Sequence, residues 1–414
     1  MILVPNHQQL LSGNKFVIGV VFAVLTAACS PKTKPVKTPE TKVGPVKAPP
    51  TALEKLPNVI RKNSIALILP FCLNTVNPKT ASSKDINKRS LALDFYQGFK
   101  LALDSLSLEG NEFNLNVFDS QDQETRVVNL ARAESVMSNN LIVGPVFPKN
   151  VKAFGEFADL KQKLQVSPLA ATSPTTFNNP HLVTVNNTID QHARKVADFI
   201  VANYKPADIN VVLINTQNAE DSKFANPIKK YLKNLSLNKI TFTEKANAKG
   251  IESALFPDKN NLVIIASDEV DFISPTINRL YVLAKNQFRV ELFGHPNWIK
   301  AKGLDNEKLQ WLNTHLTASY FVDYKQDDVK QFIARYRNDY TLEPSDFAFK
   351  GFDTGFYFGE LLAKYGSDYI KHLSTETYSG LHTSFQFKQD GKSGFINTNV
   401  IMLQYNGFEL QKIK

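Results

Sequence analysis

The sequence predicts an α/β protein with two doubly wound parallel-sheet lobes, joined by a hinge that the chain crosses more than once. From Ser64 onward, short apolar runs alternate with stretches of helical period, which is the pattern of repeated βα units. This pattern restarts after about residue 185, which indicates a second lobe. The chain has 414 residues, 43% of them apolar and 21% charged, and this is enough for two cores.

An export signal precedes the predicted lobes. Residues 16–28 carry no charge, follow Lys15 and end in small residues before Cys29. This run is too short for a spanning helix, which needs about 20 residues, and it fits the apolar core of a signal peptide. We therefore expect a signal peptide over residues 1–28. Because small residues before a cysteine resemble the lipobox of bacterial lipoproteins, we expect a lipid on Cys29. Cleavage after Ala28 in an ordinary secreted protein is the alternative.

A basic tether is expected over residues 29–63. Residues 30–52 repeat proline and lysine without any aromatic residue, so the segment stays extended, at about 3.1 Å per residue, and can hold the lobes away from a membrane. The first 63 residues hold nine basic side chains against two acidic ones. Residues 64–414 therefore keep only +2 of the formal charge of +9, which argues against nucleic-acid binding.

The first predicted lobe comprises residues 64–184 and 323–376. Its first strand is the apolar run 65–69, stopped by Pro70, which is typical of a buried parallel strand. Further strands are predicted at 113–118, 141–143 and 164–167, and helices at 91–106 and 126–138. A later helix beginning at Pro344 carries glycines at 351, 355 and 359, a spacing that lets another backbone approach closely.

The second predicted lobe comprises residues 185–322 and 377–414. Its strands are predicted at 210–215, 240–243, 262–266, 290–293 and 316–321, with helices near 190–204, 220–234 and 269–285. Glu220 and Asp221 favour the start of the second of these helices. The chain closes with an antiparallel pair whose turn, Asn406-Gly407, is a strong type I′ hairpin signal. Two such lobes form a cleft at the carboxyl ends of their strands, where ligands bind in open α/β sheets.

Ordered segments from about Ile65 to Lys412 resemble type I periplasmic binding proteins, the branched-chain amino acid and amide group of solute receptors. The segments that carry the resemblance are the first strand at 65–70, Asp119, the turn at 142–145, the loop at 171–174, and Gly351-Phe352-Asp353. The turn at 144–147 is also similar to that of outer-membrane lipoproteins that activate peptidoglycan synthases, and to that of receptor domains joined to a LysM module.

This resemblance implies a lipid-anchored protein of the bacterial cell envelope that closes its lobes around a small polar solute, such as an amino acid, amide or peptide. An ABC permease would then be its partner. The alternative is a non-catalytic envelope lipoprotein that binds or regulates a peptidoglycan synthase. A cleft lined by charged groups from both lobes would favour the receptor, whereas a cleft filled by Phe147 or Trp298 would favour the interaction protein.

The candidate ligand-binding residues of the first lobe follow its third and fourth strands. Amino-acid receptors of the resembled family present a serine-rich turn after the third strand, and here that turn begins with Phe147 and contains Lys149. Lys149 either replaces the serine electrostatically or lies in solvent. Ala171, Thr172 and Ser173 either offer backbone N–H groups and hydroxyls to a ligand carboxylate or cap a turn.

Two candidates belong to the second lobe. Asp268 follows a strand and either accepts a ligand ammonium or caps the next helix. Trp298 follows the last strand of that lobe and either stacks on a ligand or plugs the hinge.

Catalytic, metal and cofactor motifs are missing from the sequence. It contains no G-x-S-x-G, H-E-x-x-H, P-loop, G-x-G-x-x-G or C-x-x-C pattern, and its seven histidines lack ligand spacing. Cys72 follows a buried strand, where an inert thiol is expected. We therefore expect neither an enzyme nor a bound cofactor or metal.

Overall fold

The computed structural model describes residues 63–77 and 79–413, which belong to one compact unit. The predicted signal peptide, Cys29 and all but the last residue of the predicted tether lie outside the described residues. Within the described residues, no helix is both long and apolar enough to cross a bilayer.

Strands and helices alternate along most of the described chain. The strands are β1 (Asn63–Leu69), β2 (Phe113–Asp119), β3 (Leu141–Val143), β4 (Gln165–Ser167), β5 (Leu182–Thr184), β6 (Ile209–Ile214), β7 (Phe242–Lys245), β8 (Asn260–Ile265), β9 (Arg289–Phe293), β10 (His315–Ala318), β11 (Thr377–Ser379), β12 (Ser384–Gln389), β13 (Phe395–Asn397), β14 (Ile401–Asn406) and β15 (Glu409–Ile413). The helices are α1 (Ser83–Asn87), α2 (Ser90–Leu108), α3 (Glu124–Arg132), α4 (Glu134–Met137), α5 (Pro148–Phe157), α6 (Pro174–Phe177), α7 (Ile189–Asn203), α8 (Ala219–Leu235), α9 (Val270–Asn286), α10 (Asn306–Trp311), α11 (Asp327–Tyr340), α12 (Asp346–Tyr365) and α13 (Tyr369–His372).

Two sheets organise the molecule, one in each lobe. The first has the strand order β11-β12-β13-β5-β4-β3-β1-β2, and the second has the order β15-β14-β10-β9-β8-β6-β7. The strands β1 to β5 run parallel, as do β6 to β10. The predicted fold of two α/β lobes is therefore confirmed.

The lobe boundary near residue 377 differs from the sequence expectation. Residues 377–414 were expected in the second lobe, but 377–397 extend the first sheet. The strand β13 pairs parallel with β5 through Phe395 and Val183, and β12 buries Phe385 and Phe387 in the first core. Only β14 and β15 join the second sheet. The physical reason is that β5 leaves one edge of the first sheet open, and the returning chain covers that edge before it crosses.

Smaller differences concern element ends. The expected helix at 126–138 is interrupted at Ala133, whose backbone is extended. The strand β10 ends at Ala318, so the residues that follow form a crossing segment. In the final hairpin Asn406 pairs with Glu409, and the two residues with positive φ are Gly407 (63°) and Phe408 (64°). The turn therefore lies one residue later than the Asn-Gly signal suggested.

Glycines bring α2 and α12 into backbone contact in the first lobe, as their spacing predicted. A Cβ built at Gly98 would lie 1.8 Å from the carbonyl oxygen of Ala348, and one at Gly351 would lie 2.1 Å from that of Phe95. This close crossing holds α12 beside the first sheet and presents its first turn to the cleft.

The chain crosses between the lobes three times within the described residues, at 185–188, 319–326 and 398–400. The crossings are hydrogen-bonded to the first lobe. Asn187 Nδ2 donates to the carbonyl oxygen of Asn397 over 2.7 Å, and Asn397 Nδ2 donates to that of Val185 over 3.1 Å. The backbone N–H of Phe321 donates to the carbonyl oxygen of His382 over 2.8 Å. The first lobe therefore holds the crossings through hydrogen bonds.

Candidate functional site

A cleft of about 710 Å³ lies between the lobes at the carboxyl ends of the parallel strands. From the first lobe it receives the turns after β3 and β4 and the first turn of α12. From the second it receives the start of α8 and the segments after β8 and β9. The crossings at 185–188 and 319–326 contribute Asn186, Asn187, Ser319 and Tyr320 to its lining.

The predicted residues of the first lobe divide into two groups. Phe147 and Ala171 line the cleft, and Phe147 is 39% exposed. Lys149 lies outside the lining, where its ammonium contacts the Glu124 carboxylate at 2.8 Å, and that hydrogen bond raises the pKa of Lys149. Ser173 caps α6 and donates to Asp390 over 2.7 Å, and Thr172 is likewise not part of the lining.

Asp268 lines the cleft on the opposite wall. Its carboxylate accepts a hydrogen bond from Asn297 Nδ2 over 2.6 Å and lies 3.9 Å from His295 Nδ1. The N-cap residue of α9 is Glu269 rather than Asp268. Asp268 therefore keeps a partly exposed carboxylate directed to the cleft instead of capping the helix.

Trp298 is a core residue rather than a cleft residue. It is 2% exposed, its indole N–H donates to the carbonyl oxygen of Ser267 over 2.9 Å, and its ring packs against Gly294. A Cβ at Gly294 would lie 2.4 Å from this ring. Trp298 therefore takes neither of the two expected roles, stacking on a ligand or plugging the hinge: it packs in the core of the second lobe and leaves the cleft open.

The sequence reasoning missed two lysines. Lys350 on α12 is 7% exposed, and its ammonium donates to Asn186 Oδ1 over 2.9 Å and lies 4.4 Å from the centre of the Tyr320 ring. Lys300, after β9, places its ammonium 5.2 Å from the same ring centre. The signal that could have identified Lys350 is a single charge inside the buried run Ala348–Gly351 of an apolar helix.

Burial dominates the electrostatics at Lys350. Desolvation, and then the nearby charge of Lys300, lower the pKa of Lys350 to about 7, while Asp346 acts in the opposite direction. Burial also opposes the charge on Lys300, but the Tyr320 hydroxyl and Asp346 leave the pKa of Lys300 raised overall. Near neutral pH Lys300 therefore supplies a positive charge on the hinge side of the cleft, while Lys350 titrates in this range.

The start of α8 gives the second lobe acidic groups as well. Glu220 and Asp221 occupy the first turn of α8, as expected, and also line the cleft. Glu220 is paired with Lys223 at 2.7 Å, whereas Asp221 is buried and accepts a hydrogen bond from Thr216 Oγ1 over 2.6 Å. Asp221 and Asp268 thus form the negative part of this wall.

The cleft histidines are neutral at physiological pH. His192 is bonded to Thr317 Oγ1 at 2.9 Å and to Ser319 Oγ at 3.1 Å, and burial lowers its pKa to about 3. Burial also lowers the pKa of His295. The charge pattern of the cleft is consequently set by its lysines and carboxylates.

Metal and thiol chemistry find little support in the described residues. Residues 63–77 and 79–413 contain no cluster of three or more His, Cys, Asp or Glu side chains that could hold a metal. Cys72 is half-buried, and burial followed by the charge of Asp119 raises the pKa of its thiol. The thiol is therefore a poor nucleophile.

Two α/β lobes, three crossings and a charged interlobe cleft define a two-lobed ligand-binding protein. The model of the periplasmic binding protein family matches residues 89–406, and the chain belongs to this family. The resemblance to type I periplasmic binding proteins is confirmed, and membership implies an extracytoplasmic location. No curated protein sequence matches the chain.

Solved structures show the same fold at low sequence identity. A putative branched-chain amino acid ABC transporter protein of Rhodospirillum rubrum has a TM-score of 0.60 at 13% identity, with 85% of this chain and 100% of that chain covered. An ABC-type branched-chain amino acid transporter protein of Rhodopseudomonas palustris gives 0.57 at 14% identity, covering 85% and 96%. An ABC transporter substrate-binding protein of Desulfitobacterium hafniense in complex with Leu gives 0.50 at 14% identity, covering 85% and 100%.

Proposed function

We propose that the chain is an envelope receptor that closes its lobes around a small amino-acid-like or peptide-like solute and delivers it to an ABC permease. The observation that carries this proposal is the open cleft with charged side chains from both lobes. Lys350 comes from the first lobe, and Asp268 and Lys300 come from the second. The cleft volume of about 710 Å³ falls within the range of small-molecule sites.

The charges suggest how an amino acid would lie. Asp268 has a partly exposed carboxylate with the neutral partners Asn297 and His295, so it is suited to a ligand ammonium. Across the cleft, the turn containing Ala171 follows a parallel strand, and its backbone N–H groups suit a carboxylate. Contacts of one ligand with both walls would stabilise the closed arrangement over the open one.

We also propose that a lipid on Cys29 and the Lys/Pro tether hold the receptor at a membrane. The small residues before Cys29 and the proline spacing of residues 30–52 support this. Regulation of a peptidoglycan synthase is not proposed, because Trp298 is buried away from the cleft and Phe147 lines the cleft without filling it.

The test is a thermal-shift screen of the full-length protein, freed of bound ligand, against amino acids and dipeptides. A ligand at 100 times its dissociation constant should stabilise the protein by about 2.7 kcal/mol, a shift of a few degrees. Asp268→Asn should weaken binding at least about tenfold by removing the partner of the ammonium. Asp271→Asn, on the exposed side of α9, is the matched control. Absence of any shift across the panel would contradict the proposal.

A further inference from the structure

Two ammonium groups, one from each lobe, converge on a single aromatic ring in the cleft. Lys350 belongs to α12 of the first lobe, and Lys300 ends the short helix Pro296–Lys300 of the second. Their ammoniums lie 4.4 Å and 5.2 Å from the centre of the Tyr320 ring, which belongs to the crossing after β10. The stacked ring of His382, with its centroid at 4.5 Å, holds Tyr320 in place.

Neither ammonium forms an ion pair anywhere in residues 63–77 and 79–413. The partners of Lys350 are the neutral amide oxygen of Asn186 and the Tyr320 ring. A buried charge ordinarily has an opposite charge beside it, because desolvation otherwise disfavours it. Here the neighbouring charge is another cation, and together with burial it lowers the pKa of Lys350 to about 7.

The cleft is lined by three lysines and by the three carboxylates Glu220, Asp221 and Asp268, but within the described residues none of these carboxylates forms an ion pair with Lys300 or Lys350. The Glu220 carboxylate is paired with Lys223, and Asp268 is bonded to Asn297. The charge of Asp346 raises the pKa of both lysines, but in the part of the chain that the structure describes it lies outside ion-pair distance of either. Within the described residues the two lysines beside Tyr320 thus have no paired anion, and the open cleft is the route by which a ligand can supply one.

We propose that Lys300, Tyr320 and Lys350 form a subsite for an additional anionic group of the solute, so that the receptor selects acidic ligands. The ligand class is an amino dicarboxylate, or a short peptide with an acidic side chain. This inference rests on the proposed solute-binding function and adds a second anionic group to the amino-acid-like ligand described there. Both lysines can donate to the group, and the Tyr320 hydroxyl adds a third donor.

The same geometry couples selectivity to closure. Because one ammonium belongs to each lobe, an anion between them contacts both lobes at once and removes the repulsion between the two cations. A neutral side chain in that place would leave the repulsion unchanged. The acidic ligand therefore favours the closed arrangement more strongly than its neutral isostere does.

The experiment is calorimetric titration of the full-length protein with isosteric pairs, one acidic and one neutral. The pairs are L-glutamate with L-glutamine, L-alanyl-L-glutamate with L-alanyl-L-glutamine, and glutarate with glutarate monoamide. We expect the acidic member of at least one pair to bind at least tenfold more tightly. Lys350→Met and Lys300→Met should each reduce that ratio below threefold, whereas Lys302→Met, at an exposed neighbouring position, should leave it unchanged.

The outcomes separate this inference from the function on which it rests. Equal binding of acidic and neutral members would overturn the acidic subsite and leave the receptor function intact. Binding of glutarate, with no gain from an added ammonium, would support the subsite and contradict an amino-acid-like ligand. Selectivity that persists in both lysine variants would overturn the assignment of the residues, and absence of binding by every probe would overturn both proposals.

Discussion

The fold strongly alters the charge state of Lys350. Its pKa of about 7 lies below the ordinary value of 10.5 because of burial and the nearby Lys300. The groups that face it are Lys300, Asp346, Tyr320 and His382. Between about pH 7 and 10.5 the folded protein therefore binds fewer protons at this site than the unfolded chain, so this site makes stability rise with pH across that window.

Replacing Lys350 should accordingly stabilise the ligand-free protein. We expect Lys350→Met to raise the free energy of unfolding by roughly 2 kcal/mol at pH 6.5, because it removes a desolvated cation, with a smaller gain at pH 9.5. Urea unfolding at both pH values measures the difference, with Lys302→Met as the matched control. A Lys350→Met variant that is less stable than the parent at pH 6.5 would contradict this account.

The sequence predicted some residues of the site and missed others. Phe147, Ala171 and Asp268 follow predicted strands, and all three line the cleft, because ligands of α/β sheets meet the loops after the strands. Lys149 follows the same rule but lies outside the cleft, because its ammonium contacts Glu124 of α3, and a rule about strand ends does not predict that contact. Lys350 comes from a helix packed across the sheet, and only the tertiary structure brings that helix to the cleft.

The α2–α12 pair shows how small residues determine the placement of an element. A Cβ at Gly351 would lie 2.1 Å from the carbonyl oxygen of Phe95, so the helices would have to move apart. We expect Gly351→Ala to destabilise the protein by about 3 kcal/mol or more, through overpacking. Gly250→Ala is the comparison, because its Cβ would meet nothing within 4 Å and its cost, about 1 kcal/mol, comes from a φ of +64°. The urea concentration at the midpoint of unfolding measures the loss of stability in each variant. Equal losses in Gly351→Ala and Gly250→Ala would contradict overpacking at Gly351.

At the scale of elements, the sequence predicted the strands of the parallel βα units better than the returning strands β11 to β13. The apolar run at residues 65–69 identifies most of β1, and a three-residue run before Gly144 identifies β3. The strands β11 and β13 have three residues each and no βα pattern beside them, and the six residues of β12 were not predicted either. These strands join the first sheet because β13 pairs with the open edge of β5. The side chain of Asn397 also donates hydrogen bonds to the carbonyl oxygens of Val185 and Ser384. These are long-range contacts that a local pattern does not contain.

At the scale of the whole molecule, the crossings between the lobes are hydrogen-bonded to the first lobe. Asp353 on α12 is fully buried and accepts the backbone N–H groups of Leu381, His382 and Thr383 at 2.7–2.9 Å. The same segment accepts a hydrogen bond from Phe321 in the second crossing. Burial raises the pKa of Asp353 to about 6, although these hydrogen bonds favour its charged form. Because these hydrogen bonds hold the crossings to the first lobe, we expect closure to rotate the second lobe relative to the first lobe and the crossings together.

Closure is the global consequence of a cleft whose charges come from both lobes. We expect the radius of gyration of the full-length protein, measured by small-angle X-ray scattering, to fall when L-glutamate is present at about 100 times its dissociation constant. The reason is that the bound anion draws Lys300 of the second lobe toward Lys350 of the first. Lys300→Met should reduce the change even when the ligand concentration is raised to restore saturation, because the second lobe has lost its contact with the anion. Lys302→Met should close like the parent. An unchanged radius of gyration in the saturated parent protein would contradict closure, and full closure of Lys300→Met would show that Lys300 does not drive it.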